Sequence, residues 1–97
     1  MLHLGVLQFT IEIPYAESLK DKRSVVKALK DRLRRSFNIS IAETDDLDDC
    51  RTATLGAVIA GNDVAHVNST LDHLLNKLQD WREATLQEHQ IEIFTPR

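Results

Sequence analysis

Apolar and polar residues alternate through the first part of the chain. Between residues 4 and 13, one face of an extended segment would carry Leu7, Phe9, Ile11 and Ile13, and the other would carry Val6, Gln8, Thr10 and Glu12. A repeat of two is typical of a strand that buries one face and leaves the other open. Pro14 follows and ends this predicted strand.

A repeat of three to four residues comes next and predicts a helix over residues 19–37. Its apolar positions are Val26, Leu29, Leu33 and Phe37. Ser18 stands where the N-cap belongs, and Asp21, three residues later, suits a capping box. Asn38 is expected to end the helix in the left-handed conformation, which asparagine tolerates.

The remaining elements follow from the same two repeats. Residues 39–42 alternate and predict a second strand, and the acidic segment 43–49 predicts a loop, because it lacks strand-forming residues. Alternation over residues 52–59 predicts a third strand. Asn62 or Asp63 can cap a second helix that keeps its repeat from Val64 to Trp81, and residues 88–94 form the last predicted strand.

The order strand-helix-strand, strand-helix-strand predicts an α+β fold of the ferredoxin-like type, a βαββαβ sandwich formed by one domain over residues 1–97. Both helices would lie on one face of a four-stranded antiparallel sheet, and the other face would be open. The apolar positions of the strand and helix repeats that face one another predict the core. Its residues are Leu7, Phe9, Ile11, Val26, Leu29, Leu33, Leu55, Ile59, Val67, Leu71, Leu74 and Ile91.

Composition restricts where such a domain works. Hydrophobic residues make up 42% of the chain and charged residues 28%, which disfavours disorder. The one cysteine, Cys50, cannot form an internal disulfide, which suits a reducing compartment. The alternation near the N-terminus is unlike a signal peptide, and no apolar run approaches the ~20 residues of a membrane span. We expect a soluble, cytoplasmic protein with no membrane partner.

Charge is distributed unevenly along the chain. The net charge is −3, yet eight of the twelve basic residues lie between positions 20 and 35. Steps of three and four residues line up five of them on one flank of the predicted first helix. This basic stripe consists of Lys20, Arg23, Lys27, Lys30 and Arg34. At about 1.5 Å per residue it is roughly 20 Å long and could meet the phosphates of RNA. The alternative is a solvated helix face.

The open sheet face suggests a different kind of contact. Its predicted outward residues include Val6, Gln8, Thr10, Val58 and Phe94. RNA-recognition motifs with this topology stack bases on aromatic residues of the sheet, but here Phe94, near the chain end, is the only aromatic candidate. The mixed apolar character suits burial against a second subunit, in a homodimer or a larger oligomer.

No segment has the pattern of a catalytic or metal site. The acidic segment lacks the glycine and terminal glutamate of a calcium loop. His66 and His73 lie two helical turns apart, too far to share a metal ion. Cys50 has no histidine at a motif spacing, and no glycine-rich phosphate loop occurs. We therefore expect no cofactor, no metal ion and no enzymatic activity.

The residues also resemble a known family. The stretch SLKDKRSVVKALKDRLRRSFNISIAE at residues 18–43 is similar to the signature of the YlxP-like family, bacterial domain of unknown function 503. The similarity continues at Asp45-Asp46, Leu55-Gly56, Asn62-Asp63 and His66-Val67-Asn68, nearly the whole chain. Cys50 stands where the pattern usually has an aromatic residue, so a role for that aromatic does not carry over.

This resemblance implies a ferredoxin-like fold and no assigned activity. Genes of the family often lie beside those of translation initiation and ribosome maturation factors, which suggests RNA or ribosomes as partners. Two hypotheses result. The first is an RNA- or ribosome-associated module that binds an RNA or a ribosomal subunit through its first helix. The alternative is a homo-oligomeric protein-interaction or structural module with no nucleic-acid role.

Overall fold

The computed structural model describes residues 1–97 and confirms the predicted order of elements. The elements are β1 (His3–Glu12), α1 (Leu19–Ser36), β2 (Ser40–Asp45), β3 (Thr52–Gly61), α2 (Val64–Gln79) and β4 (Thr85–Phe94). The strands form one antiparallel sheet in the order β2-β3-β1-β4. This is the ferredoxin-like α+β arrangement.

The core lies between one face of the sheet and both helices. A single cluster of 18 buried apolar residues joins alternate residues of the strands to one face of each helix. All the predicted core residues belong to it except Ile91, which is half-buried. The reason is that β4 is an edge strand with one neighbour, β1, and so receives less cover. Neither helix is long and apolar enough to cross a membrane.

Both helix starts are fixed by side-chain caps. The Ser18 hydroxyl accepts a hydrogen bond from the Asp21 amide at 3.1 Å, as predicted. The Asp21 carboxylate accepts from the Glu17 amide at 3.0 Å, one residue earlier than in a standard capping box. Asp63 caps α2 by accepting from the Ala65 amide. Each cap satisfies amides that no helical carbonyl can reach.

Asn38 directly follows the C-cap residue Phe37, which is the predicted C′ position, but it does not adopt the predicted left-handed conformation. α1 ends at Ser36, and Phe37 is already extended with a φ of −136°. Asp46, with a φ of 57°, is the one non-glycine residue with a positive φ. The chain passes from α1 into β2 within three residues, so an extended backbone takes it directly to the sheet edge.

Three predicted boundaries also need correction. β2 continues through Asp45, so the acidic segment is half strand, and the loop covers residues 46–51. α2 ends at Gln79, two residues before Trp81, although Trp81 still packs against the core. β4 begins at Thr85 and not at residue 88, because it pairs with β1 as far as Glu12. Sheet pairing therefore extends β2 through Glu43 and Asp45, residue types with low strand propensity.

Leu29→Ala tests the assigned face of α1. Leu29 has no exposed surface, so the variant should lose about 2–5 kcal/mol of unfolding free energy in a urea titration. Leu47→Ala is the matched control, because Leu47 is 58% exposed and its truncation should cost less than about 0.5 kcal/mol. An unchanged midpoint for Leu29→Ala would contradict this packing.

Candidate nucleic-acid interface

The basic helix contains one lysine that does not face solvent. Lys22 is 1% exposed and is the only buried charged residue of the chain. Its ammonium donates to the Asp46 and Asp49 carbonyl oxygens, each at 2.6 Å. A buried ammonium is costly unless its protons find acceptors, and here both carbonyls come from the loop 46–51. Lys22 therefore holds the start of α1 to that loop.

Glu43 of β2 supplies the counter-charge. Its Oε2 atom lies 2.9 Å from the Lys22 ammonium, and the Glu43 side chain is 15% exposed. This buried oxygen accepts no hydrogen bond of good geometry and has no other polar partner. Its contact with Lys22 is therefore an ion pair. Glu43 pairs across the sheet with Leu55, which places its side chain on the helix side of the sheet. The ion pair thus joins α1 to the edge strand.

Sequence reasoning missed Lys22, although a signal was present. Lys22 precedes Val26, Leu29 and Leu33 by four, seven and eleven residues, which is the phase of the buried face. A lysine in that phase must reach an acceptor or extend to the surface. The acidic segment offered acceptors, but the backbone carbonyls that Lys22 uses cannot be recognised from residue types.

Two carboxylates of the loop 46–51, those of Asp46 and Asp49, form hydrogen bonds that build the loop. Asp49 accepts hydrogen bonds from the amides of Arg51 and Thr52, at 2.9 and 3.2 Å. Asp46 accepts from the Thr54 hydroxyl at 2.6 Å. No three histidine, cysteine, aspartate or glutamate side chains come together as a set of metal ligands. The acidic segment is therefore a partner of the basic helix, through Lys22, and a support for the β2–β3 connection.

The basic stripe borders a groove between α1 and β2. Four of its members, Arg23, Lys27, Lys30 and Arg34, line an open groove of about 390 Å³, together with Val26, Asp31 and Glu43. Lys20 is exposed and lies beyond this lining, toward the start of the helix. The structure thus brings four of the five predicted residues to one concave surface.

Asp31 neutralises part of the stripe. It accepts a hydrogen bond from Lys27 at 2.9 Å and lies 3.7 Å from Arg34. The bond from Lys27, aided by the neighbouring positive charges, lowers the pKa of Asp31 despite an opposing effect of desolvation. Lys20, Arg23 and Lys30 take part in no ion pair. Arg23 and Lys30 therefore carry the unbalanced charge of the groove, and Lys20 adds an unpaired charge beyond its lining.

Arg34 also contacts the backbone of the edge strand. Its guanidinium donates to the Ile41 carbonyl oxygen at 3.0 Å, across the groove from α1 to β2. This hydrogen bond orients Arg34 along the groove wall and leaves its remaining N–H groups for another acceptor. The stripe is consequently attached to the fold at its C-terminal end by Arg34 and near its start by the neighbouring Lys22.

The predicted oligomer face is the face of the sheet turned away from the helices. Val6 lies opposite Val58, and Thr10 lies opposite Thr54. Gln8 is exposed between them, and Phe94 pairs with Leu4 at the sheet edge. Val58 and Phe94 are 39% and 45% exposed. The face is therefore mostly apolar near the start of β1, where Glu92 opposite Val6 is the charged exception, and polar near the end of β1.

Lys22→Met tests the role of the buried ammonium. The change leaves the Glu43 carboxylate without its counter-charge and two carbonyls without a donor, so we expect a loss of about 3–5 kcal/mol in urea unfolding. Adding Glu43→Met to Lys22→Met should recover part of this loss, because no uncompensated charge remains. Lys27→Met is the exposed control and should cost about 0.5 kcal/mol or less. A Lys22→Met protein as stable as the parent would contradict the assignment.

Comparison with known families agrees with the resemblance noted in the sequence. A family described as "Protein of unknown function (DUF503)" matches residues 4–91, which include every element apart from His3 at the start of β1 and residues 92–94 at the end of β4. Curated proteins give no match. The matched segment contains both the basic stripe and Lys22 with its acceptors. The chain therefore belongs to the DUF503 family.

Proposed function

We propose that this protein is an RNA-binding module that holds RNA phosphates along the groove between α1 and β2. The observation that carries the proposal is the convergence of Arg23, Lys27, Lys30 and Arg34 on that one groove. A groove that concentrates positive charge attracts a polyanion even when the net charge of the protein is negative. The gene neighbourhood of the family supports RNA or a ribosomal subunit as that polyanion.

The positive charges of the basic stripe repel one another, and a bound phosphate backbone would neutralise them. Residues three or four positions apart are neighbours on a helix, and each like-charged pair costs about 0.2–0.5 kcal/mol in isolation. Asp31 relieves Lys27 and Arg34, whereas Arg23 and Lys30 keep no partner. Phosphates along a groove of this length can contact several cations at once and release their counterions.

The carboxylates near the groove take part in structural contacts, which favours a binding role over an enzymatic one. Glu43 is committed to Lys22, and Asp46 and Asp49 are committed to the loop. The groove offers cations that can bind phosphate but no free nucleophile beside a base. We therefore propose a protein that binds and positions RNA and does not transform it.

Salt dependence tests this proposal. Each contact to single-stranded RNA contributes about −0.7 to the slope of log affinity against log salt. Contacts from all five stripe residues give a slope of about −3.5. Replacing Arg23, Lys27 and Lys30 together by Gln removes three of these contacts, so it should flatten the slope by about 2. It should also weaken binding to all RNA sequences alike, since phosphates carry no base identity. Fluorescence anisotropy with a labelled RNA measures both effects.

Two single variants serve as controls, one expected to leave RNA binding unchanged and one expected to strengthen it. Arg97→Gln removes one positive charge outside the stripe and should leave the slope unchanged. Asp31→Asn removes the carboxylate that pairs with Lys27, so it should tighten binding and steepen the slope. If the triple variant binds as the parent does, or if the parent shows no salt-sensitive binding, the RNA proposal is wrong.

A second candidate function rests on the open sheet face. Val6, Val58, Leu4 and Phe94 lie together at one end of that face, where a second copy of the chain could cover them. Such a homodimer would belong to a protein-interaction or structural module without a nucleic-acid role. A dimer mass in light scattering, combined with absent RNA binding, favours this candidate, and a monomer mass removes it.

A further inference from the structure

A second basic surface lies on the opposite flank of α1, facing α2. It is a crevice of about 250 Å³ lined by Arg32, Lys77, Asp80, Trp81, Arg82 and Glu83. Three cations there outnumber two carboxylates. Arg32 is two positions from Lys30 and from Arg34, so it projects roughly 160° away from them around the helix. The crevice is therefore separate from the groove of the basic stripe.

The crevice contains an aromatic ring beside these cations. The Arg32 guanidinium lies over the Trp81 ring, 4.8 Å from its centroid. On the same side of the molecule, the Lys77 ammonium lies 5.9 Å from the Phe37 ring centroid and donates to the Ser36 hydroxyl at 2.7 Å. Trp81 is half-buried, so its ring is supported by the core while part of it borders the crevice.

We infer that this crevice is a stacking subsite for one unpaired base, so that the ligand of the domain is single-stranded RNA. The inference rests on the proposed RNA-binding function and specifies its substrate class. The base stacks on the Trp81–Arg32 pair, and Lys77 and Arg82 contact the adjoining phosphates. Indole rings and guanidinium planes are the side chains on which unpaired bases stack.

The size and position of the crevice favour a single base over a larger ligand. Its volume is below the ~300–1,000 Å³ of pockets that enclose whole drug-sized molecules. A duplex cannot offer a base to the crevice, because its bases are paired and stacked on one another and expose no free face. The open sheet face offers no equivalent, since Phe94 at the edge is its one aromatic residue.

One RNA strand can contact both surfaces of α1. The groove and the crevice flank the exposed crest of the helix, which is about 10–12 Å across with its side chains. Arg35 lies on this crest and is exposed, so a crossing strand meets another cation there. The helix then acts as a ridge, with phosphates bound along one flank and a base held on the other.

Trp81 is the only tryptophan, so its fluorescence reports on the crevice directly. We would titrate the full chain with an oligouridylate, with an RNA duplex of equal length and with inorganic polyphosphate, which has no bases. The single strand should quench Trp81, whereas polyphosphate and duplex should bind with little quenching. Equal quenching by all three, or none by a bound single strand, would overturn the subsite.

Substitution of Trp81 gives an independent readout. Base–aromatic stacking is worth about 1–3 kcal/mol, so Trp81→Leu should weaken single-strand affinity by roughly 5- to 150-fold while leaving polyphosphate affinity unchanged. Trp81→Phe keeps an aromatic ring and should stay near the parent. If Trp81→Leu binds the single strand with the affinity and salt slope of the parent, the stacking subsite is contradicted. The proposal that the basic stripe binds phosphates is then unaffected. If no polyanion binds the parent, both proposals fail.

Discussion

The buried ammonium of Lys22 decides how the first helix sits on the sheet. It must keep two loop carbonyls and the Glu43 carboxylate within contact distance, since an ammonium without acceptors would be expelled from the interior. Apolar packing alone allows a helix to rotate or slide by small amounts at little cost. Three polar contacts that converge on one atom restrict both motions, so the flanks of α1 acquire a defined position.

The position of the charged flanks follows from this constraint. With Lys22 facing the loop, Arg23, Lys27 and Lys30 turn toward β2, and Arg32 turns toward α2. Neither surface would be evident from the net charge, which is negative. Some of the acids that produce that sign are engaged in the loop, where Asp49 accepts from two backbone amides and Asp46 accepts from the Thr54 hydroxyl. Local placement of charge, and not its sum, determines which ligand the domain can attract.

The fold could be predicted because its determinants are local. Leu29 and Leu33 repeat with the helical period, and the order of elements then restricts the topology to a ferredoxin-like sandwich. The site could be predicted only in part. The stripe is a pattern within one helix, whereas the contacts of Lys22 and the meeting of Arg32 with Trp81 join residues that are far apart in sequence. The helical repeat predicted that α2 continues to Trp81, because Trp81 is correctly spaced from the apolar residues of that helix. The helix ends two residues earlier, at Gln79.

The most direct test of the account is the map of amide and indole chemical-shift changes when a single-stranded RNA is added at low salt. We expect the changes to be concentrated on α1 from Lys20 to Arg35 and on the Trp81 indole, and to disappear as the salt concentration is raised. The open sheet face around Val58 should be unaffected. Changes centred on that face, or a spectrum that RNA leaves unchanged, would contradict the claim that α1 carries the function of this domain.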